Sequence, residues 1–262
     1  VGTLPTLPGA FDERGYSTLL VKPADRERPG VALDNSFRFE HTVFADDLDY
    51  VGPVIGWGQI PDQYTLGFVH ERVIPEIDPP VFGFFHLATS HMPWPGSPKL
   101  EPHWEDWNFA AGSKRPVFVQ RTTESELAMR LSRFKRRTRE ATERPPQPGQ
   151  PGRYVDTVLF DLQAIAETHL GGPGRPTLIV IYGDHQPPIV ADGTDADVPI
   201  HLVASDPELL QAFLDQGFMA GLRPTGDDHR VAHEDLFPML IRGLAAAGKS
   251  AQAQSQPAGS AP

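Results

Sequence analysis

The segment Gly183-Asp184-His185-Gln186-Pro187-Pro188 follows the apolar run Thr177-Leu178-Ile179-Val180-Ile181-Tyr182 and sets a carboxylate beside an imidazole. At a turn, two adjacent side chains can bend toward one ion. A carboxylate oxygen with an imidazole nitrogen suits Zn or Mn in preference to Ca or Mg, which favour oxygen ligands throughout. Taken alone, Asp-His after a strand is more often a turn with a capped histidine, because such metals usually take at least three protein ligands. A second polar cluster, Ala88-Thr89-Ser90-His91-Met92-Pro93-Trp94-Pro95, follows the apolar residues 81–87, and Lys22, Arg26 and Arg28 follow residues 16–21. If these strands are parallel, one sheet edge gathers an acid, two imidazoles and cations, which is where open α/β sheets bind ligands.

The elements that must position these groups are legible as apolar periodicity. Four apolar runs, residues 16–21, 81–87, 177–182 and 198–204, read as buried strands. The third is nearly continuous in apolar character, as a strand covered on both faces should be. Helical spacing covers residues 6–14, 62–73 and 154–170, the last with Val155, Val158, Leu159, Leu162, Ile165 and Ala166 on one face and Gly171-Gly172 as a stop. Asp206-Pro207 opens a further helix ending near Gly217, and residues 234–246 form the last. Strands alternating with helices predict a mainly parallel sheet between helical layers.

Composition limits what the chain can do. With 262 residues, 28 prolines and 24 glycines, it suits one large domain, or a domain plus extensions, with long loops. A net charge of -11 argues against general nucleic-acid binding, which needs a cationic surface. The lack of cysteine excludes disulfides, zinc ribbons and thiol nucleophiles together. No apolar run reaches the ~20 residues of a membrane-spanning helix. Residues 130–153 read as a basic helix running into a Pro/Gly-rich connector, a solvated face more readily than a membrane-binding one. Residues 247–262 read as a disordered tail.

Several motifs together carry a resemblance. Gly183-Asp184-His185-Gln186-Pro187 resembles the metal-binding segment of sulfatase-like proteins of the alkaline phosphatase superfamily, closest to lipoteichoic acid synthase-like and phosphoethanolamine transferase-like members. Ser90-His91-Met92-Pro93-Trp94 looks like their strand-end Ser/Asn-His-x-Pro-aromatic motif. Gly2-Thr3-Leu4-Pro5 through Gly15-Tyr16 is similar to their "threonine-leucine-proline, then helix, then glycine-tyrosine" stretch. Asp197-Val198-Pro199-Ile200 and Glu234-Asp235-Leu236-Phe237-Pro238-Met239-Leu240 are similar to later family segments. The matches keep family order across residues 1–245.

This resemblance implies a three-layer αβα sandwich, with residues 1–246 as the C-terminal two-thirds of an alkaline phosphatase-like domain. It implies Asp184 and His185 as metal ligands and His91 as a donor to a phosphoryl or sulfuryl oxygen or to the leaving group. Lys22, Arg26 and Trp94 are the implied substrate contacts, with Trp104 and Trp107 as further cleft residues or as packing under the Pro-rich loop. For His229 and His233, a surface position is the better reading. The family's Ser/Thr nucleophile and first acidic ligand lie upstream of the segment matched by residues 2–16, so the chain reads as an excised part of a larger, membrane-anchored protein. The implied substrate is an anionic phosphate or sulfate ester, lipid- or glycan-linked, met on the extracytoplasmic side of the membrane. The competing expectation is a non-catalytic module of the same fold that binds an anionic glycan or lipid headgroup.

Overall fold

The computed structural model describes residues 5–26, 37, 39–57, 60–92, 94, 96, 98–108, 150–168, 176–186, 197–222 and 230–255. The basic run, most of its connector, Arg28, Gly171-Gly172 and His229 lie outside the described residues. The chain is mixed α/β and divides into two compact units, residues 1–170 with 187–190, and residues 171–186 with 191–262.

The first unit opens with α1 (Leu7–Asp12). Thr6 caps it by accepting the Gly9 N–H at 3.2 Å, and Pro8 sits in the first turn, where its missing N–H costs nothing. Gly15, at φ 79°, turns the chain into β1 (Ser17–Lys22). β1 is the central strand of a parallel sheet, flanked by β2 (His41–Phe44) and β3 (Val81–Phe85) in the order β2-β1-β3. Thr18 to Val21 are all buried, so β1 is covered on both faces. Beyond it, Thr18 N–H donates to Glu40 Oε2 while Glu40 N–H donates to Thr18 Oγ1, which fastens the approach to β2.

Between β2 and β3 lies α2 (Asp62–Phe68), followed by one π-helical turn (Val69–Val73) and a 3-10 turn (Ile74–Glu76). Every residue of α2 is buried. Its polar side chains are therefore all spent on protein partners. Gln63 accepts from Trp107 Nε1 at 2.7 Å and from Glu101 N–H, and donates to Glu101 O. The Tyr64 hydroxyl donates to Leu48 O and accepts from Asn108. Gly67 is required because a Cβ there would run into the Trp104 ring. The core joins Leu19, Val21, Leu48, Ile60, Tyr64 and Trp107 to Phe160 of α3 (Gln150–Thr168).

Two expectations about α3 change here. It begins at Gln150, so residues 150–153 of the expected connector form its first turn. Its buried face is Thr157, Phe160, Asp161 and Ala164, whereas Val155, Leu159 and Leu162 are exposed. Both sets have helical spacing; packing of Phe160 against Trp107, at 6.1 Å and nearly perpendicular, selects the first.

In the second unit, β4 (Leu178–Tyr182) pairs antiparallel with β5 (Ile200–Ala204), not parallel as the alternation of elements predicts. Their end is closed by Ser205 N–H to Thr177 O and by Thr177 N–H to Ser205 Oγ. Asp206 Oδ1 accepts the Glu208 N–H at the start of α4 (Glu208–Leu214). α4 packs on α5 (His233–Ser255), where Gly243 leaves room for the Phe213 ring. α5 continues past Ala246, through Ala251, Ala253 and their glutamine neighbours, residues that favour helix more than their low hydrophobicity suggests. The expected tail is thus helical as far as Ser255.

Candidate functional site

β4 ends at Tyr182, and the chain turns at once through Gly183 to Asp184 and His185, both largely exposed. Their orientation is fixed by short local bonds. His185 N–H donates to Asp184 Oδ1 at 2.8 Å, which leaves Oδ2 to face the ring. His185 Nδ1 lies 3.0 Å from Gln186 O, and since a carbonyl can only accept, this nitrogen carries the proton in the neutral ring. Nε2 then holds the lone pair, 3.5 Å from Asp184 Oδ2. The turn itself is held by Gln186, whose side-chain amide donates to Asp197 O, and Asp197 in turn pairs with Arg230 at 2.9 Å. Burial raises the Tyr182 hydroxyl pKa, and the Asp184 charge adds to the effect.

This donor pair can be tested for metal compatibility. Two ligands on a tetrahedral metal with bonds of about 2.0–2.1 Å stand about 3.3 Å apart. The observed 3.5 Å between Nε2 and Oδ2 matches that spacing with little movement. The hydrogen bond on Nδ1 is also the arrangement that metal-ligating histidines ordinarily have. Asp184 and His185 therefore fit as two ligands; among the described residues, no group of three or more His, Asp or Glu forms a complete set.

In the first unit, β3 leads through His86 to the loop Ala88–His91. His91 is exposed, with its N–H bonded to Ala88 O and its ring 4.6 Å from Trp57. Its Nδ1 lies 2.6 Å from Met92 O, which again leaves the lone pair of the neutral ring on Nε2. Trp94, expected to contact substrate, is buried at 3% exposure beneath this loop. Its indole N–H donates to Ser90 O, and its ring packs on Tyr154. Trp104 and Trp107 pack against Tyr64 and Phe160, respectively. Lys22 and Arg26 each meet a carboxylate, Asp25 at 2.6 Å and Asp46 at 3.5 Å. His91, Trp94, Lys22 and Arg26 thus belong to the first unit, and Asp184 and His185 to the second.

The sequence reading passed over a pair of buried carboxyls beneath the His91 loop. Asp62, fully buried, accepts N–H bonds from Ala88 and Thr89, the latter at 2.7 Å, while Thr89 Oγ1 accepts the Asp62 N–H. Its neighbour is Asp161 on α3, 7% exposed, which stands against Asp62 and Ser90. Burial chiefly, and the Asp62 charge next, push the Asp161 carboxyl up to about 9. Burial also raises Asp62, against the N–H donors of Thr89 and Ala88, which favour its charged form. The available signal was an acidic residue, Asp161, set beside Phe160 within a helical apolar stripe.

No family model matches the chain, and neither the curated proteins nor the solved structures contain a match to it.

Proposed function

We propose that this chain contributes to a metal-dependent enzyme that transfers or hydrolyses phosphate or sulfate esters, of the sulfatase-like kind its motifs resemble. The observation that supports this reading most directly is the 3.5 Å separation of His185 Nε2 and Asp184 Oδ2, with the ring's other nitrogen tied to Gln186 O. These two residues would hold a Zn or Mn ion. When bound, such an ion supplies charge stabilisation for the transferring group and activates the attacking oxygen. With a net charge of -11, the chain needs such a local cation to accept an anionic ester. On this reading the substrate is lipid- or glycan-linked and met outside the cytoplasm.

His91 would act through Nε2. With Nδ1–H directed at Met92 O, the ring is held in one tautomer and presents Nε2 outward. In its neutral form Nε2 accepts a proton; protonated, it donates to a non-bridging oxygen or to the leaving-group oxygen. A tilted ring contact with Trp57 restrains the ring without using either nitrogen. Lys22 and Arg26, already paired with carboxylates, are the weaker candidates for direct contact with an anion.

The test is titration calorimetry of the 262-residue chain with Zn and with Mn, repeated on Asp184→Ala and His185→Ala. Binding by the parent chain and its loss in both variants is the expected result. Equal binding in all three would refute the metal assignment, and metal binding without turnover of any phosphate or sulfate ester would favour the headgroup-binding module.

A further inference from the structure

The loop that presents His91 has an unusual foundation. Two consecutive residues, Ala88 and Thr89, are fastened by their N–H groups to Asp62 on α2, and a second buried carboxyl, Asp161 on α3, stands beside Asp62 and Ser90. Thr89 is fastened twice, since its hydroxyl also accepts the Asp62 N–H. Asp62 uses its two oxygens on the Ala88 and Thr89 N–H groups. Asp161 Oδ1 is buried and receives no donor. Two ionised carboxylates in mutual contact, away from water, repel each other, and neither can donate a hydrogen bond.

We infer that Asp62 and Asp161 share a single proton and act together as a positioning pair for the loop that carries His91. A proton on Asp161 turns an acceptor-only side chain into a donor toward Asp62 and removes one of the two buried charges. Asp62 is the better anion of the two, because it already accepts two backbone N–H bonds, whereas Asp161 is stabilised only through Ser90. A proton fits better than a metal ion. The two carboxyls are buried next to each other, and among the described residues no third His, Asp or Glu completes a cation site.

The surroundings leave the pair to settle its own charge. On α2, Tyr64 directs its hydroxyl to Leu48 O. On the loop and the strand end, the His91 ring is engaged by Met92 O and His86 is exposed. On α3, Arg153 reaches Trp94 O, while Asp156 and Glu167 are exposed. The charge that acts on Asp161 is that of Asp62. While the proton is in place Ala88 and Thr89 stay anchored on Asp62. When it leaves, Asp161 and Asp62 repel each other, and the loop moves, with His91 at its end.

The pair's bearing on catalysis rests on the reading of His91 given above; the shared proton itself does not. The experiment is a pH titration, from 5 to 10, of the metal-free 262-residue chain carrying 13C at aspartate Cγ and in the histidine rings. In the parent chain, one aspartate carboxyl is expected to stay protonated at pH 7 and to ionise near pH 9, with the His91 ring resonance shifting in the same step. Asp161→Asn is expected to lose that carboxyl signal and the accompanying His91 shift near pH 9, since the amide donates to Asp62 at every pH. Full ionisation of every aspartate by pH 7 in the parent chain would overturn the inference, and that arm needs no variant. A His91 shift near pH 9 that persists in Asp161→Asn would overturn the positioning role. Neither readout depends on metal binding or turnover, so failure of the enzymatic proposal would leave both intact.

Discussion

Replacing Asp161 with asparagine should raise the stability of the first unit relative to wild type by an amount that grows with pH, against the usual outcome of altering a buried residue. The wild-type carboxyl is held up to about 9 in the folded chain, against about 3.9 for an unfolded aspartate. Between those values the folded state binds one proton more than the unfolded state. The stability the group contributes is therefore complete below about pH 4 and declines as pH rises toward 9. One proton corresponds to about 1.4 kcal/mol per pH unit, so by pH 7, roughly three units above the unfolded value, the loss approaches about 4 kcal/mol as a ceiling. Asparagine has the same shape, donates to Asp62 and has no proton to lose. The difference in unfolding free energy, variant minus wild type, should thus widen by about 1.4 kcal/mol per pH unit between pH 5 and 8. Urea unfolding followed by tryptophan fluorescence measures it cleanly, because Trp57, Trp94, Trp104 and Trp107 are all the tryptophans in the chain and all lie in the first unit. A difference that stays flat with pH would refute the reasoning.

Gly67→Ala should destabilise the first unit by about 1–3 kcal/mol through overpacking against Trp104, seen as a lower urea midpoint with an unchanged slope. Phe160→Ala, at a site only 1% exposed, should cost about 3–5 kcal/mol and alter the emission of Trp107. In the second unit, Gly243→Ala should drive Phe213 from its place and lower the thermal midpoint of circular dichroism without changing tryptophan emission. Asp184→Ala should abolish Zn or Mn uptake by calorimetry while leaving the unfolding midpoint of the metal-free chain within about 0.5 kcal/mol of wild type, as expected for an exposed side chain.

The sequence made visible what depends on near neighbours. β3, β4 and β5 fall within expected apolar runs and β1 runs one residue past its own, to Lys22, but of these expected buried strands only β1 is buried, the other three being half-buried or exposed. β2 escaped notice: His41 and Thr42 are exposed, only Val43 and Phe44 are buried, and the strand exists because β1 offers it an edge. The direction of β5 against β4 depends on pairing between strands and not on either strand's composition. On α3, hydrophobicity pointed to Val155, Leu159 and Leu162, yet the buried stripe carries a threonine and an aspartate. That stripe makes sense only beside Trp107 and Asp62, which local sequence cannot supply. The Asp184-His185 pair was legible because its members are adjacent, but the carbonyls that settle the tautomers of His91 and His185 were not.

A helix with no side turned to water has a consequence for the order in which the first unit assembles. α2 is only seven residues long, and the side chains of Gln63 and Tyr64 find partners 16 to 44 residues away. Helices shorter than about 12–15 residues are marginal when isolated, so α2 gains little by forming early. It should appear only when residues 88–108 close around it, placing Asp62, Gln63 and Tyr64 late on the folding path, with substitutions there speeding unfolding more than they slow folding. The segment that presents His91 would then be completed in the same step that completes the core, leaving no stage at which the loop is built and the unit beneath it is not.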